Sequence, residues 1–319
     1  MASEFDLITR YFSRPAANAV LGIGDDAALI RPSAGMELAV SADMLVAGRH
    51  FFPDADPELL GHKSLAVNLS DLAAMGATPK WALLSIALPA ADEPWLAAFS
   101  RGFFALADRH GVTLVGGDTT RGSLNLSVTI LGEVPAGQAL RRDTARVDDD
   151  VWVSGELGGA ALGLRHLLGE VDLAEPERFA CLSRLHAPAP RVALGQALCG
   201  IGRAGIDVSD GLLADLGHVL TSSGVGAEIE LAALPAAVPV SARLSTALAR
   251  ACLLAGGDDY ELCFTAGVDQ RDAVLAAARA SSTTVARIGR IVSGAGLAVL
   301  DPSGQPLAME IAGFDHFAD

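Results

Sequence analysis

Short acidic clusters beside glycine or serine are the most informative feature of this sequence. They are Gly24-Asp25-Asp26, Ser41-Ala42-Asp43, Asn68-Leu69-Ser70-Asp71, Gly116-Gly117-Asp118, Asp207-Val208-Ser209-Asp210 and Gly256-Gly257-Asp258-Asp259. No histidine or cysteine stands at ligand spacing within them. Oxygen donors of this kind favour a hard cation such as Mg²⁺, which keeps waters that a phosphate can displace. The clusters therefore predict a site that holds several metal ions and binds phosphate.

Asp71 lies in a segment that is apolar on nearly every side, so its carboxylate is predicted to be buried. A buried carboxylate is costly unless it is paired or bound to a metal. Asn68 precedes Asp71 by one helical turn, which places both side chains on the same face of a helix. An internal hydrogen bond to a neighbouring loop is the alternative to metal binding.

The segment around Asp207 predicts a strand that leads into a helix. Asp207 and Ser209 alternate with apolar residues, so both polar side chains are expected on one face of the strand. Asp210 then opens the helix, whose N-terminus suits a phosphate or a phosphate-bound metal. The simpler alternative is that Asp210 only caps the helix.

Gly116-Gly117-Asp118 follows the strand predicted over Val112–Val115 and is expected to form a loop at its carboxyl end. There the glycines would let the backbone approach a ligand, with Asp118 beside it. An ordinary tight turn is the alternative. Two unpaired carboxylates about 4 Å apart repel by about 4 kcal/mol at an effective dielectric of about 20. Convergence of several acidic loops would therefore require bound cations.

Composition excludes several classes of protein. The net charge of −15 argues against a nucleic-acid partner, because backbone binding needs a basic surface. No uncharged apolar run of about 18 residues is present, so no membrane span is expected. The 4 cysteines are widely spaced, and acidic residues stand near the start where a secretory signal would be basic. We therefore expect reduced thiols and a cytoplasmic protein.

Strand-like and helical segments alternate, which predicts an α/β or α+β fold. The length of 319 residues favours two domains, and the charged stretch Arg141–Asp150 divides them into 1–148 and 149–319. A helix is predicted over 57–75, with Asp56 as its N-cap, and a second over 93–110, ended by Gly111. Further helices are expected up to about 168, over 211–222 and over 272–280. Strands are predicted over 36–40, 82–88, 124–131, 151–154, 206–208, 262–265, 287–292 and 297–300.

Several longer segments can be compared with known families. They are Gly22-Ile23-Gly24-Asp25-Asp26-Ala27-Ala28, Ser41-Ala42-Asp43 with Val46-Ala47-Gly48-Arg49-His50-Phe51, Val67-Asn68-Leu69-Ser70-Asp71-Leu72-Ala73-Ala74-Met75-Gly76-Ala77, Gly116-Gly117-Asp118-Thr119-Thr120, Asp207-Val208-Ser209-Asp210-Gly211, Gly256-Gly257-Asp258-Asp259-Tyr260-Glu261-Leu262 and Gly313-Phe314-Asp315-His316-Phe317. In this order, and over the whole chain, they resemble the thiamine-monophosphate kinase family.

The resemblance implies ATP-dependent phosphorylation of thiamine monophosphate, which yields thiamine diphosphate and ADP in the last step of thiamine diphosphate biosynthesis. It also implies several Mg²⁺ ions, with ATP as co-substrate. The implied fold is that of aminoimidazole ribonucleotide synthetase, with an N-terminal domain that pairs across a homodimer and a C-terminal α/β domain.

The resemblance assigns site residues motif by motif. The implied Mg²⁺ ligands are Asp26, Ser41, Ala42 through its backbone carbonyl, Asp43, Asp71, Asp118, Asp207 and Asp210. Gly117, Asp118, Arg142 and Ser209 resemble the ATP contacts, and His50, Asp258 and Phe314 resemble the substrate contacts. Asp258 stands where glutamate is usual, and Phe314 where tyrosine or tryptophan is usual. No general base is expected, because the attacking phosphate oxygen is already ionised near neutral pH, its second pKa being about 6.

Two alternatives remain open from the sequence. One is another ATP-using enzyme of the same fold, either similar to selenophosphate synthetase or activating an amide; the His50 segment and the tail 313–317 argue against it. The other is a non-catalytic protein that binds nucleotides or divalent ions.

Overall fold

The computed structural model describes residues 3–307. Phe314 and the tail around it lie outside the described residues. The chain forms two compact α/β units. The first contains the residues up to Leu72 together with Ala77–Gly137, and the second contains Ala73–Gly76 with the described residues from Gln138 onward. The α/β prediction is confirmed.

The first unit is built on a four-stranded sheet in the order β1-β4-β2-β3. Strand β4 pairs antiparallel with both β1 and β2, whereas β2 and β3 are parallel. The strands are β1 Met36–Val46, β2 Thr78–Leu88, β3 Thr113–Arg121 and β4 Asn125–Pro135. The helices are α1 Glu4–Leu7, followed by a π-helical turn over Ile8–Phe12, then α2 Pro57–Ala74 and α3 Glu93–His110.

Helices α2 and α3 touch through their backbones at two glycines. A Cβ atom at Gly61 would lie 2.1 Å from the carbonyl oxygen of Phe99, and one at Gly102 would lie 1.8 Å from that of Glu58. Only glycine permits so close an approach. This contact fixes the position of α2, the helix that carries Asp71.

Strand β1 forms one edge of the sheet and has a different character on each face. Met36, Leu38, Val40 and Met44 are exposed on one face, with Val40 60% exposed. The residues between them include Ser41 and Asp43, which contact α2. β1 therefore separates an apolar surface from a polar one.

The second unit is built on a six-stranded sheet in the order β10-β7-β9-β5-β8-β6. Neighbouring strands in this sheet are antiparallel, except that β10 and β7 are parallel to each other. The strands are β5 Asp150–Ser154, β6 Gly205–Asp207, β7 Gly226–Glu230, β8 Leu262–Ala266, β9 Val285–Val292 and β10 Gly296–Leu300. The helices are α4 Gly159–Leu167, α5 Glu177–His186, α6 Val192–Leu198, α7 Leu212–Ser223, α8 Val238–Ser241, α9 Ala247–Ala255 and α10 Arg271–Ala280.

Most predicted elements are present, some with different bounds. Asp56 accepts hydrogen bonds at the start of α2, and Gly111 ends α3 in the left-handed conformation at φ 66°, as predicted. The strand predicted over 36–40 continues to Val46. Helices α1, α5, α6, α8 and α9 and strand β7 were not predicted. Among residues 3–307, no helix is long and apolar enough to cross a membrane.

Candidate functional site

Ser41 and Asp71 form a direct contact between β1 and α2. The Ser41 hydroxyl donates a hydrogen bond to Oδ2 of Asp71 over 2.5 Å. Asp71 is only partly buried, so the prediction of a buried carboxylate is wrong, although its neighbour Ser70 is fully buried. The contact leaves the Asp71 carboxylate within reach of a ligand while it is held by a neighbouring strand.

Asn68 holds the backbone next to Asp43. Its Oδ1 accepts the N–H of Asp43 at 3.1 Å, and its Nδ2 donates to the carbonyl oxygen of Ser64 at 3.0 Å. Asn68 is completely buried. It was expected to point an oxygen at the same place as Asp71, but its amide is used to fix β1 against α2. It therefore supports Asp43 instead of offering a ligand oxygen.

The Gly116-Gly117-Asp118 segment lies inside strand β3, so the prediction of a loop is wrong. The strand continues because β2 pairs with it, Leu84 opposite Gly117 and Ser85 opposite Asp118. Gly117 has φ 144°, and a Cβ there would lie 1.8 Å from the carbonyl oxygen of Leu84. Glycine is required at this position because the two backbones almost touch.

The sheet register shows that Asp118 is not beside Asp43. Asp43 on β1 pairs with Val128 on β4, Val128 pairs with Leu84 on β2, and Leu84 pairs with Gly117 on β3. Asp43 and Gly117 are therefore separated by three strand spacings, or roughly 14 Å along a flat sheet. Asp118 is the residue after Gly117, so it lies on the opposite face of the sheet. That face carries the exposed apolar residues of β1.

Asp26 and His50 lie in turns of the first unit. Asp26 is exposed in a loop closed by backbone hydrogen bonds between Leu21 and Leu29. The Nδ1 atom of His50 accepts the N–H of Val46 at 3.0 Å, at the end of β1. His50 therefore has a defined ring orientation at the end of the strand that carries Ser41 and Asp43.

In the second unit, Asp215 organises the turn that carries Asp207, Ser209 and Asp210. One oxygen of Asp215, Oδ2, accepts the N–H groups of Ser209, Asp210 and Gly211 at 3.0, 3.0 and 3.1 Å. Burial raises the pKa of Asp215 to about 7, against the lowering effect of these donors. One carboxylate oxygen thus satisfies three consecutive backbone donors of the turn that precedes α7.

Two predictions for this turn are therefore corrected. Strand β6 ends at Asp207, so Ser209 lies in the turn and not on the strand. Asp210 does not cap α7: the N-cap is Gly211, which has φ 112° and no side chain to offer. Asp215, in the first turn of the helix, accepts the N–H groups of the three residues that precede α7. A carboxylate that follows Asp-Gly by one turn in an apolar helix is the signal that could have revealed it.

A second loop, Gly256–Glu261, is hydrogen-bonded to this turn along its length. Val208 donates to the carbonyl of Glu261 at 2.7 Å, Tyr260 to that of Val208 at 2.8 Å, and Asp258 to that of Ser209 at 2.9 Å. A Cβ at Gly257 would lie 2.4 Å from the Ser209 carbonyl oxygen. The turn with Asp207 and the loop with Asp258 therefore form one connected structure.

Glu261 anchors the end of this loop in the interior. It is 1% exposed and accepts two hydrogen bonds from Arg191, at 2.6 and 2.5 Å, and one from the Ser154 hydroxyl at 2.5 Å. A paired arrangement of this kind compensates for burial of the charges. Arg191 was not singled out from the sequence, and Glu261 was quoted only within the segment 256–262, without a role of its own.

Asp259 anchors the middle of the same loop. Its Oδ2 accepts the N–H of Gly158 at 2.7 Å, at the start of α4, and its Oδ1 is buried without a hydrogen-bond partner. Burial raises the pKa of Asp259 to about 8. The carboxyl group is therefore largely protonated at neutral pH. Its neighbour Asp258 has a positive φ of 68°, which the anchored loop maintains.

Arg142 lies in the exposed segment after the first unit. Its carbonyl oxygen accepts a hydrogen bond from the Ser223 hydroxyl at 2.8 Å, which ties the segment to the end of α7. The side chain is exposed. It therefore has the freedom to reach an anionic ligand.

The donor chemistry of these residues fits Mg²⁺. Mg²⁺ is usually held by one or two carboxylates with waters and substrate phosphates as its other ligands. Ser41, Asp43 and Asp71 supply oxygens in the first unit, and Asp207 and Asp210 supply them in the second. Within residues 3–307, no three Asp, Glu, His or Cys side chains form a cluster that could hold a metal by themselves. The donors suit a cation that also takes phosphate oxygens.

Comparison with known proteins agrees with this architecture. The family model "AIR synthase related protein, N-terminal domain" matches residues 24–134, and "AIR synthase related protein, C-terminal domain" matches residues 146–301. The fold and the acidic loops thus define a two-domain protein of the AIR synthase related class.

Relatives of full length specify the family. The thiamine-monophosphate kinase of Salmonella typhimurium strain LT2 is 43% identical over 319 residues, covering 99% of this chain and 98% of that protein. Within the AIR synthase related class, the chain belongs to the thiamine-monophosphate kinase family. The crystal structure of thiamine-monophosphate kinase from Stenotrophomonas maltophilia K279a matches with a TM-score of 0.85 at 49% identity, over 91% of this chain and 93% of that chain. The structure of AaThiL complexed with AMPPCP and TMP matches with a TM-score of 0.79 at 31% identity, over 90% and 89% of the two chains.

Proposed function

We propose that this protein phosphorylates thiamine monophosphate with ATP, giving thiamine diphosphate and ADP. The observation that carries the proposal is the full-length similarity to thiamine-monophosphate kinases, in which the acidic segments are part of the matched chain. One structural relative is AaThiL complexed with AMPPCP and TMP. The reaction is the last step in the formation of thiamine diphosphate.

Phosphoryl transfer requires in-line placement of two anionic groups and neutralisation of the charge between them. Bound Mg²⁺ supplies that neutralisation. The protein's part is to hold oxygen donors in place, and the contacts of Ser41 with Asp71 and of Asn68 with Asp43 do so. No side chain has to remove a proton, because the acceptor phosphate oxygen is ionised near neutral pH, with a second pKa of about 6.

The proposed Mg²⁺ ligands are Asp26, Ser41, the Ala42 carbonyl, Asp43, Asp71, Asp118, Asp207 and Asp210. Gly117, Arg142 and Ser209, with Asp118, are proposed to contact ATP, which is bound as co-substrate. His50, Asp258 and Phe314 are proposed to contact thiamine monophosphate. The geometry that supports this assignment is strongest for Ser41, Asp43 and Asp71, whose backbone or side chains are held by hydrogen bonds between β1 and α2.

We further propose that the protein is a homodimer formed through β1. The strand is at the edge of its sheet and exposes Met36, Leu38, Val40 and Met44 in one apolar row. An unpaired edge with an apolar face is a surface that monomeric proteins usually avoid. A cytoplasmic location is supported by the cysteines, all of which are free.

The test is a phosphoryl-transfer assay with ATP and Mg²⁺, comparing thiamine monophosphate with free thiamine. Thiamine monophosphate should be converted to thiamine diphosphate with one ADP released per turnover. Free thiamine should not react, because it lacks the phosphate that accepts the transferred group. Turnover of free thiamine, or ADP release without thiamine diphosphate, would contradict the proposal. Nucleotide binding without any turnover would favour a non-catalytic nucleotide-binding protein.

A further inference from the structure

Asp215 is a buried carboxylate whose hydrogen bonds are directed at the backbone of the turn 207–211. It is 3% exposed, and one of its oxygens accepts three consecutive N–H groups, from Ser209 to Gly211. Those groups would otherwise be unsatisfied donors at the start of α7. The hydrogen bonds to the Asp215 side chain therefore stabilise the backbone conformation of this turn.

We propose that Asp215 is the positioning residue that sets the geometry of the metal-binding turn, and that it also sets the position of Asp258. This inference rests on the proposed function, because it takes Asp207, Ser209 and Asp210 as contacts of metal and nucleotide. Asp215 does not touch the substrates itself. It acts through the backbone of the turn.

The first step of the argument concerns the position of the acceptor atom. Three N–H groups converge on one oxygen at 3.0 to 3.1 Å, so the backbone from Ser209 to Gly211 curls around that atom. Moving the oxygen by one methylene group would move all three amides. The side chains of Ser209 and Asp210 would move with them. A metal or nucleotide held by these side chains is sensitive to such shifts, because supporting residues typically affect metal affinity by about 10- to 100-fold.

The second step concerns transmission to the substrate side. Gly211 and Gly257 hold the turn and the loop Gly256–Glu261 in backbone contact. A Cβ at Gly211 would lie 2.6 Å from the carbonyl carbon of Ala255, and one at Gly257 would lie 2.4 Å from the carbonyl oxygen of Ser209. The N–H of Asp258 donates to that same Ser209 oxygen at 2.9 Å. A displaced turn therefore displaces Asp258.

Two substitutions of Asp215 distinguish the effect of its acceptor position from the effect of its charge. Asp215→Asn keeps an oxygen acceptor at the same distance from the backbone but removes the charge. Asp215→Glu keeps the charge but places the acceptor one methylene farther out. If Asp215 acts by position, asparagine preserves the site and glutamate disrupts it. If it acts as a metal ligand or as a charge, the order is reversed.

The measurement is binding of Mn²⁺ in the presence of AMPPCP, followed by electron paramagnetic resonance on the full chain. For Asp215→Glu we expect the dissociation constant to rise by about tenfold or more, and for Asp215→Asn to stay within about threefold of wild type. The KM for thiamine monophosphate should rise in the glutamate variant as well. Leu216→Ala is the matched control: it truncates a fully buried side chain of the same helix and keeps all three hydrogen bonds from the turn to Asp215. It should lower the melting temperature and leave Mn²⁺ binding unchanged.

The proposal would be overturned if Asp215→Glu bound Mn²⁺ like wild type while Asp215→Asn lost binding. It would also be overturned if both variants bound Mn²⁺ like wild type. A loss in Leu216→Ala equal to that in Asp215→Glu would show that general destabilisation is sufficient. If Asp215→Glu does not fold, Asp215→Ser takes its place, because its hydroxyl is too short to reach the three N–H groups. Mn²⁺ binding that follows the expected pattern in a protein that does not phosphorylate thiamine monophosphate would refute the proposed function and leave this inference standing.

Discussion

The Ser41 hydroxyl on β1 donates a hydrogen bond to Oδ2 of Asp71 on α2, with 2.5 Å between the two oxygens. The contact joins the strand and the helix whose side chains are proposed to hold Mg²⁺. Because the Ser41 hydroxyl is a neutral donor, this hydrogen bond orients the Asp71 carboxylate and does not itself cancel its charge.

Replacing Asp71 with asparagine should abolish most of the activity while the fold is kept. The substitution removes one charge and little volume, and loss of one such electrostatic group typically lowers kcat by roughly 10²- to 10³-fold. The melting temperature should stay the same or rise, since repulsion between acidic side chains is relieved. Steady-state kinetics at saturating Mg²⁺ test this prediction. Asp92→Asn, at the N-cap of α3, is the control and should retain full activity; wild-type kcat in Asp71→Asn would exclude Asp71 as a metal ligand.

Asn68→Ala should reduce both stability and activity. The change leaves the N–H of Asp43 without its acceptor in a partly buried site, for which we expect a cost near the lower end of about 1–3 kcal/mol. The backbone at Asp43 should then be less well fixed, so the half-saturating concentration of Mg²⁺ should rise. Ser64→Ala, one turn earlier on α2, removes only a local bond to the Gly61 carbonyl and is the control. Equal Mg²⁺ dependence in both variants would show that Asn68 has no role beyond folding.

Gly117→Ala should disrupt the pairing of β2 and β3. Its φ of 144° is unfavourable for alanine, and the new Cβ would lie 1.8 Å from the Leu84 carbonyl oxygen. Relief of the clash requires the strands to separate locally, with an expected loss of about 2–3 kcal/mol or more in the free energy of unfolding. Denaturant unfolding measures the loss. Gly122→Ala, where the nearest atom is Ala87 Cβ at 3.4 Å, should be nearly neutral; similar stabilities for the two variants would contradict the argument.

The raised pKa of Asp259 predicts that the free energy of unfolding decreases as the pH rises towards about 8. Its pKa is about 8 in the fold, because of burial, against an ordinary value of 3.8. Between these values the folded chain binds a proton that the unfolded chain has lost. This group's contribution therefore falls as pH rises towards about 8, by up to about 1.4 kcal/mol per pH unit. Asp259→Asn has no such proton.

The measurement is the difference in free energy of unfolding between Asp259→Asn and wild type from about pH 6 to about pH 9. The difference should move in favour of the variant as pH rises to about 8 and then level off. Asp215 also has a raised pKa, about 7, but it is present in both proteins and cancels in the difference. A difference that does not change with pH would mean that Asp259 keeps an ordinary pKa.

Val40→Lys should convert the proposed dimer to a monomer. Val40 is 60% exposed in the middle of the apolar row on β1, and a lysine there introduces a charge that a packed interface cannot solvate. Sedimentation velocity of the full chain distinguishes the two states. Val238→Lys, at a site 71% exposed in the second unit, is the control and should leave the dimer intact. A wild-type protein that sediments as a monomer at all concentrations would refute the dimer.

The elements with strong local signals could be predicted from the sequence. Helix α3, with its Asp92 cap and Gly111 at the end, has the predicted bounds of 93–110. Strand β3 could not be recognised beyond its first residues, because a strand that contains Gly116-Gly117-Asp118 is stabilised by pairing with β2 and not by its own composition. Tertiary pairing overrode the turn preference of these residues.

The same distinction applies to the candidate site. The acidic residues themselves could be chosen from their types and neighbours, and the family resemblance was confirmed by relatives 43% identical over 319 residues. Their supporting contacts differ in this respect. Asp215 is only six residues from Ser209, so its contact with the turn is local and left a signal in the sequence. Glu261 supports its loop through Arg191, which lies 70 positions away in the chain, and such a partner depends on the folded arrangement of distant segments.

Polar and apolar residues alternate along β1, so the register in which β1 pairs with β4 decides which of them face α2. Asp43 stands opposite Val128, with Ser41 and Asp43 towards α2 and the apolar row on the other face. Because neighbouring residues of a strand point to opposite faces, a slip of one residue would exchange the two sets completely. Valine and methionine would then meet Asn68, while the acidic side chains would be spread over the apolar surface. A single register error would thus disrupt the proposed metal site and the proposed dimer surface together.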